Sequence, residues 1–212
     1  MKLYLSSYRI PTPADLEDLV GKPFADTRVA LVSNAKDYYI PRAREIKVQD
    51  SKDYFAGLGV ETISEVDLRQ YNDADELEKA LRGHDMVWAM GGNTFMLRYE
   101  MKRSGFDAAI RKLLAEGMVY AGESAGAIVA GTDLMGIDLS DDSRFSDAVI
   151  MDGMALVPKF ISTHTDNPMY AENSAESEAM HDPDAVVSLK DSEAYIVDDM
   201  EARVASSATA PE

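Results

Sequence analysis

The chain has no cysteine. Disulfides, thiolate zinc sites and a thiol nucleophile are excluded by that absence alone. Imidazole is nearly as scarce: His84, His164 and His181 are the three histidines in 212 residues, too scattered to suggest a metal site. Positive charge is also short, with 21 Lys and Arg against 38 Asp and Glu and a formal net charge of −17. Such a field repels phosphate backbones and anionic headgroups, which argues against nucleic acid and membrane surfaces as partners. No apolar run approaches the ~18 residues of a membrane span. The N-terminus turns polar too early for a secretory signal, so the cytoplasm is the expected compartment.

What the chain does have is a globular balance, 46% hydrophobic and 28% charged. One domain over residues 1–205 is expected, followed by a flexible Ala/Ser/Pro tail at 206–212, in a monomer or small homo-oligomer. Apolar runs at Lys2–Ser7 and Arg28–Ser33 read as buried parallel strands. Helical spacing from Pro41 to Gly57 then gives way to an extended Val60–Ser64. Asp73–Leu81 is a second helix candidate, and Asp85–Met90 a strand that stops at Gly91-Gly92. The periodicity predicts one helix from Thr94 to Glu116, ended by Gly117, before a strand at Met118–Ala121. Further strands are expected at Phe160–Thr163, Ala185–Leu189 and Ala194–Val197, with the later ones at a sheet edge. Alternating strands and helices imply an α/β fold, a doubly wound, mostly parallel sheet with helices on both faces.

Gly122-Glu123-Ser124-Ala125-Gly126 has the G-x-S-x-G form of a nucleophile elbow, preceded by an apolar strand and followed by a small-residue helix start. A strained turn there would lift the Ser124 hydroxyl above the carboxyl edge of the sheet. The Ala125 amide, at a helix N-terminus, can stabilise a developing oxyanion. Gly92, in a second strand-to-helix turn at the same edge, is the candidate second donor. Among the histidines, His164 should emerge at a strand end; His84 precedes a strand, and His181 lies in the turn-like Met180-His181-Asp182-Pro183. Composition cannot choose the carboxylate that would orient the imidazole: Glu193 sits just before an apolar strand, while Asp138, Asp141 and Asp142 lie in the loop after the elbow helix.

Gly91-Gly92-Asn93-Thr94-Phe95, Gly122-Glu123-Ser124-Ala125-Gly126-Ala127 and a histidine 40 positions after the serine together resemble the peptidase E (aspartyl dipeptidase) family, with its cyanophycinase-like members. The resemblance implies a sheet like that of class I glutamine amidotransferases. It also implies a serine-type peptidase acting on small peptides by acyl transfer. Carried over by position, the nucleophile falls on Ser124, the base on His164, the acid on Glu193 with Asp138 and Asp141 as alternatives, and the oxyanion donors on Gly92 and Ala125. The chain departs from the family where an arginine would follow the histidine, for no Lys or Arg stands between His164 and His181. Asp166 and Glu172 in that stretch would instead favour a free amino group or a basic substrate. Two other readings compete: an esterase built on His181 and an upstream aspartate, and an idle homologue that only binds a small ligand. No cofactor is expected, since Gly91-Gly92-Asn93 lacks the spacing of a phosphate or dinucleotide loop.

Overall fold

The computed structural model describes residues 1–211. Its organising element is a seven-stranded sheet. Five strands run parallel: β1 (Lys2–Ser6), β2 (Arg28–Val32), β3 (Thr62–Glu65), β4 (Met86–Ala89) and β5 (Val119–Glu123). Two short strands, β6 (Phe160–Ser162) and β7 (Val186–Ser188), pair with each other in a separate two-stranded sheet. The last two, β8 (Glu193–Asp198) and β9 (Glu201–Ser206), form a hairpin antiparallel to β1, so the order is β3-β2-β4-β5-β1-β8-β9.

The central strands read as near-continuous apolar runs because both faces are covered. Leu3, Leu5, Ala30, Val32, Val87, Ala89 and Tyr120 belong to one buried cluster, whereas Tyr4, Val29, Leu31, Met86, Trp88, Val119 and Ala121 belong to the other. That is the period-2 alternation of a pleated strand, here buried on both sides. The first face is covered by α3 (Ala74–Leu81), α4 (Thr94–Ser104) and α5 (Phe106–Ala115), and the second by α1 (Pro13–Val20) and α2 (Pro41–Gly57). Helix starts follow local chemistry: Pro13 and Pro41 occupy first-turn positions, Asp73 accepts the amides of Asp75 and Glu76, and Asn93 accepts that of Met96.

The helix expected from Thr94 to Glu116 is two helices. Gly105 adopts φ +80°, and a Cβ there would lie 2.8 Å from the Ala74 amide nitrogen. Close packing on the start of α3 therefore breaks a pattern that periodicity reads as continuous. The expected strands at 160–163 and 185–189 form, but as the separate β6–β7 pair rather than an edge of the main sheet. The sequence reading did not foresee α1, β9 or α7 (Ala171–Glu178). Ser206 closes β9 and the Ser207 amide donates to the Ser192 carbonyl, so the tail expected from 206 begins within the sheet hairpin; Glu212 lies outside the described residues.

The strand order creates a switch point. After β2 the chain moves outward to β3, and after β4 it moves the other way to β5, which opens a crevice at the carboxyl ends of β2 and β4. A 3-10 turn at Asn34–Lys36, the Gly91-Gly92 turn and the segment after β5 all gather at this edge. Among the described residues no helix is long and apolar enough to cross a membrane.

Candidate active site

Ser124 stands between β5 and the short helix α6 (Ala125–Ile128) with φ +50° and ψ −115°. Such a conformation costs about 1–3 kcal/mol and persists only where packing imposes it. Here the packing is specific. A Cβ on Gly122 would lie 2.6 Å from the Gly126 backbone, and one on Gly126 would lie 2.1 Å from the Ala89 carbonyl oxygen. The Ser124 amide donates to the Ser6 carbonyl at 3.0 Å, and its own carbonyl receives Ala127 and Ile128. The residue is thereby held by β1 on one side and α6 on the other.

His164 follows β6, also at positive φ, +60°. Its Nε2 lies 3.0 Å from Ser124 Oγ and its Nδ1 lies 2.6 Å from Asp191 Oδ1. An ionised carboxylate only accepts, so Nδ1 carries the proton and the Nε2 lone pair faces the serine hydroxyl. Asp191 is fixed by three more contacts. The Ser7 hydroxyl donates to Oδ1 at 3.0 Å and Asn167 Nδ2 to Oδ2 at 2.8 Å. The Asp191 amide donates to Asp166 at 2.9 Å, and Ser7 Oγ in turn accepts the His164 amide at 2.7 Å. Burial opposes ionisation of Asp191, but the donors Asn167, His164 and Ser7 outweigh it and hold the carboxyl below its ordinary value.

Each carboxylate expected on the imidazole is elsewhere. The Glu193 side chain accepts the Lys190 amide at 2.9 Å, closing the turn before β8, and its backbone carbonyl receives the Ser7 amide. Asp138 is exposed in the 3-10 turn Ile137–Leu139. Asp141 lines the cavity but accepts the Thr94 amide at 2.7 Å rather than His164. Burial pushes its carboxyl up, partly offset by the Thr94 hydrogen bonds. Asp191 stands two positions before Glu193, and nothing in the local sequence distinguishes the two carboxylates. His181 is not a surface turn residue. Its ring is 7% exposed, stacked 3.8 Å from Phe160, with Nε2 on Asp133 at 2.9 Å and Nδ1 on the Ser177 carbonyl at 2.8 Å. Both ring nitrogens are occupied away from Ser124, which removes the esterase reading built on this residue. His84 Nδ1 donates to the Leu81 carbonyl at 3.0 Å.

Ser124, His164 and Asp191 line a cavity of about 740 Å³ together with Gly91, Gly92 and Asn93. Gly92 has φ +143°, and a Cβ there would lie 2.3 Å from the Ala35 carbonyl oxygen, so only glycine lets this turn sit against the turn after β2. A Cβ on Gly91 would lie 3.0 Å from Ser124 Cβ, which places the turn directly beside the serine. Ala125 is fully buried and can present only its backbone N–H. Ser162 Oγ lines the same cavity, buried and without a hydrogen-bond partner among the described residues. Asp166 and Glu172 do not line it: the first caps the Asp191 amide and the second is exposed on α7. Among the described residues no cluster of metal-ligating side chains occurs.

Comparison with known proteins agrees with this architecture. An uncharacterized peptidase of Listeria monocytogenes is 32% identical over 111 residues, covering 50% of this chain and 53% of that protein. Peptidase E of Pasteurella multocida is 32% identical over 162 residues, 76% of this chain and 62% of its own. The matched part thus spans about half the length of the first relative. A crystal structure described as a candidate peptidase E protein from Listeria monocytogenes superposes with TM-score 0.82 at 23% identity, over 97% of this chain and 98% of that one. The fold is therefore the doubly wound, class I glutamine amidotransferase-like one. With residues 14–205 matching its description, the chain belongs to peptidase family S51.

Proposed function

We propose that this protein is a serine peptidase that hydrolyses small peptides through an acyl-enzyme on Ser124. The observation that carries the reading is the continuous hydrogen-bonded relay from Ser124 Oγ through His164 to Asp191, at 3.0 and 2.6 Å. His164 Nε2 takes the hydroxyl proton as Ser124 Oγ attacks the peptide carbonyl carbon. The carbonyl oxygen becomes an oxyanion, stabilised by the backbone N–H groups of Gly92 and Ala125. Collapse of this intermediate breaks the C–N bond, with His164 returning the proton to the leaving amine. Water, deprotonated by the same imidazole, then hydrolyses the ester. Asp191 stays ionised throughout and stabilises the imidazolium.

A cavity of about 740 Å³ lies in the range of small-ligand pockets and suits short peptides. Cleavage specific for N-terminal aspartate is not part of the proposal, because no arginine follows His164 before His181. The test is a dipeptide library together with a serine-directed fluorophosphonate. Turnover and labelling by the wild type, both abolished in Ser124→Ala, are expected. A Ser124→Ala protein that cleaves as well as the wild type would sink the assignment, as would a wild type that cleaves no short peptide.

A further inference from the structure

Among the described residues, the crevice that holds Ser124 carries one positively charged side chain of the lysine or arginine type. Lys36 ends the 3-10 turn after β2 and lines the main cavity, as do the carboxylates Glu123 and Asp141. It also lines a smaller adjoining cavity of about 190 Å³, which Arg9 and Lys47 line as well. Lys36 thus stands where the two cavities adjoin.

Two features make Lys36 unusual on so acidic a protein. Its side chain is half-buried, yet among the described residues no carboxylate oxygen comes within 4.0 Å of its Nζ. Its neighbour Asp37 is committed elsewhere, to Arg44 at 2.5 Å and Arg69 at 3.4 Å. The backbone around it is also tightly placed. The Lys36 amide donates to Ser33 and its carbonyl receives Tyr39, while the carbonyl of Ala35 receives the Asn93 amide at 2.8 Å. The same Ala35 carbonyl fills the space that a side chain on Gly92 would need. Lys36 is thus anchored to the turn that carries the proposed oxyanion donor, and through it to Ser124.

An ammonium on a half-buried side chain, with no carboxylate in direct contact, gains more from an incoming anion than one on a fully exposed side chain does, since water screens it less. Resting on the peptidase reading above, we infer that Lys36 binds a carboxylate of the peptide substrate and so determines which peptides are cleaved. Asp141, across the same cavity, supplies an opposite charge for the ammonium end, and together they match a short zwitterionic peptide. Two carboxylates of such a substrate share this chemistry, the C-terminal one and that of an acidic first side chain.

The experiment separates them with four substrates: Ala-Leu, Ala-Leu amide, Asp-Leu and Asp-Leu amide, each measured with the wild type, Lys36→Met and Lys36→Arg. Lys36→Met should lose about tenfold or more in kcat/KM, carried by KM, on substrates bearing the bound carboxylate. Lys36→Arg should stay within about threefold of the wild type. Loss on Ala-Leu but not on its amide assigns the C-terminal carboxylate; loss on Asp-Leu amide assigns the side chain. Equal loss on all four, Ala-Leu amide included, or loss on none overturns the inference. A binding arm keeps this distinct from the catalytic proposal. In a Ser124→Ala background, calorimetry with the same peptides should show Lys36→Met weakening the acids and sparing Ala-Leu amide. If the wild type cleaves nothing, the peptidase reading fails and this titration alone decides Lys36. Unchanged affinity, or no binding of any acid, overturns it.

Discussion

The Ser7 hydroxyl donates to Asp191 Oδ1 at 3.0 Å while its oxygen accepts the backbone amide of His164 at 2.7 Å. One residue just past β1 thus sets the imidazole's attachment point and its carboxylate partner together. The Ser7 amide is itself tied to the Glu193 carbonyl at 3.1 Å, so the antiparallel β1–β8 pairing supports the site from behind.

Removing that hydroxyl should act on turnover more than on binding. Ser7→Ala is expected to lower kcat roughly tenfold with KM little changed, and to cost about 1–3 kcal/mol of stability from the buried groups left unpaired. Steady-state kinetics on one dipeptide and a urea titration check both; a change confined to KM would contradict the positioning role.

The acid assignment has a sharper consequence. Asp191→Asn should reduce kcat by about 10³–10⁴, because an amide at this position favours the wrong imidazole tautomer. Glu193→Gln should remain within about threefold, since its carboxylate only closes the Lys190 turn. The reverse ranking in kcat would return the role to Glu193.

Two carboxylates should report opposite pH dependences of stability. Asp191 has a depressed folded value, so its contribution is present above the unfolded value of about 4 and is lost as pH falls through the folded one. Asp141 is raised by burial, so its contribution is complete below about pH 4 and is lost as pH rises through the folded value. Urea midpoints from pH 3 to 8 should therefore show Asp191→Asn destabilised at neutral pH and converging with the wild type in acid. Asp141→Asn should be more stable than the wild type at neutral pH, with an advantage that fades in acid.

Gly105→Ala probes the helix break. A Cβ at φ +80° and 2.8 Å from the Ala74 nitrogen forces α3 and α4 apart, at about 1–3 kcal/mol, which lowers Tm by several degrees. Turnover of the folded protein should be unchanged, because Gly105 does not line the cavity. A Tm equal to that of the wild type would mean that the junction yields freely.

The sequence by itself determined the elements whose causes are local. Ser124 was legible because an elbow needs a strand, two side-chain-free positions and a helix start within a few consecutive residues, and Gly122 and Gly126 supply the close approach. The sheet class followed from unbroken apolar runs, and His164 from its place at a strand end. Periodicity failed at Gly105 because the break comes from contact with Ala74, which no local window contains. Only the tertiary structure decided which carboxylate meets His164. Asp191 lies 27 residues from His164 and 184 from Ser7, and the chain offers 38 acidic residues of the same chemistry. A carboxylate orients an imidazole only across a hydrogen-bond distance, and that distance is set by how β1, β6 and the turn before β8 converge rather than by anything in the one residue, Ser192, that separates Asp191 from Glu193.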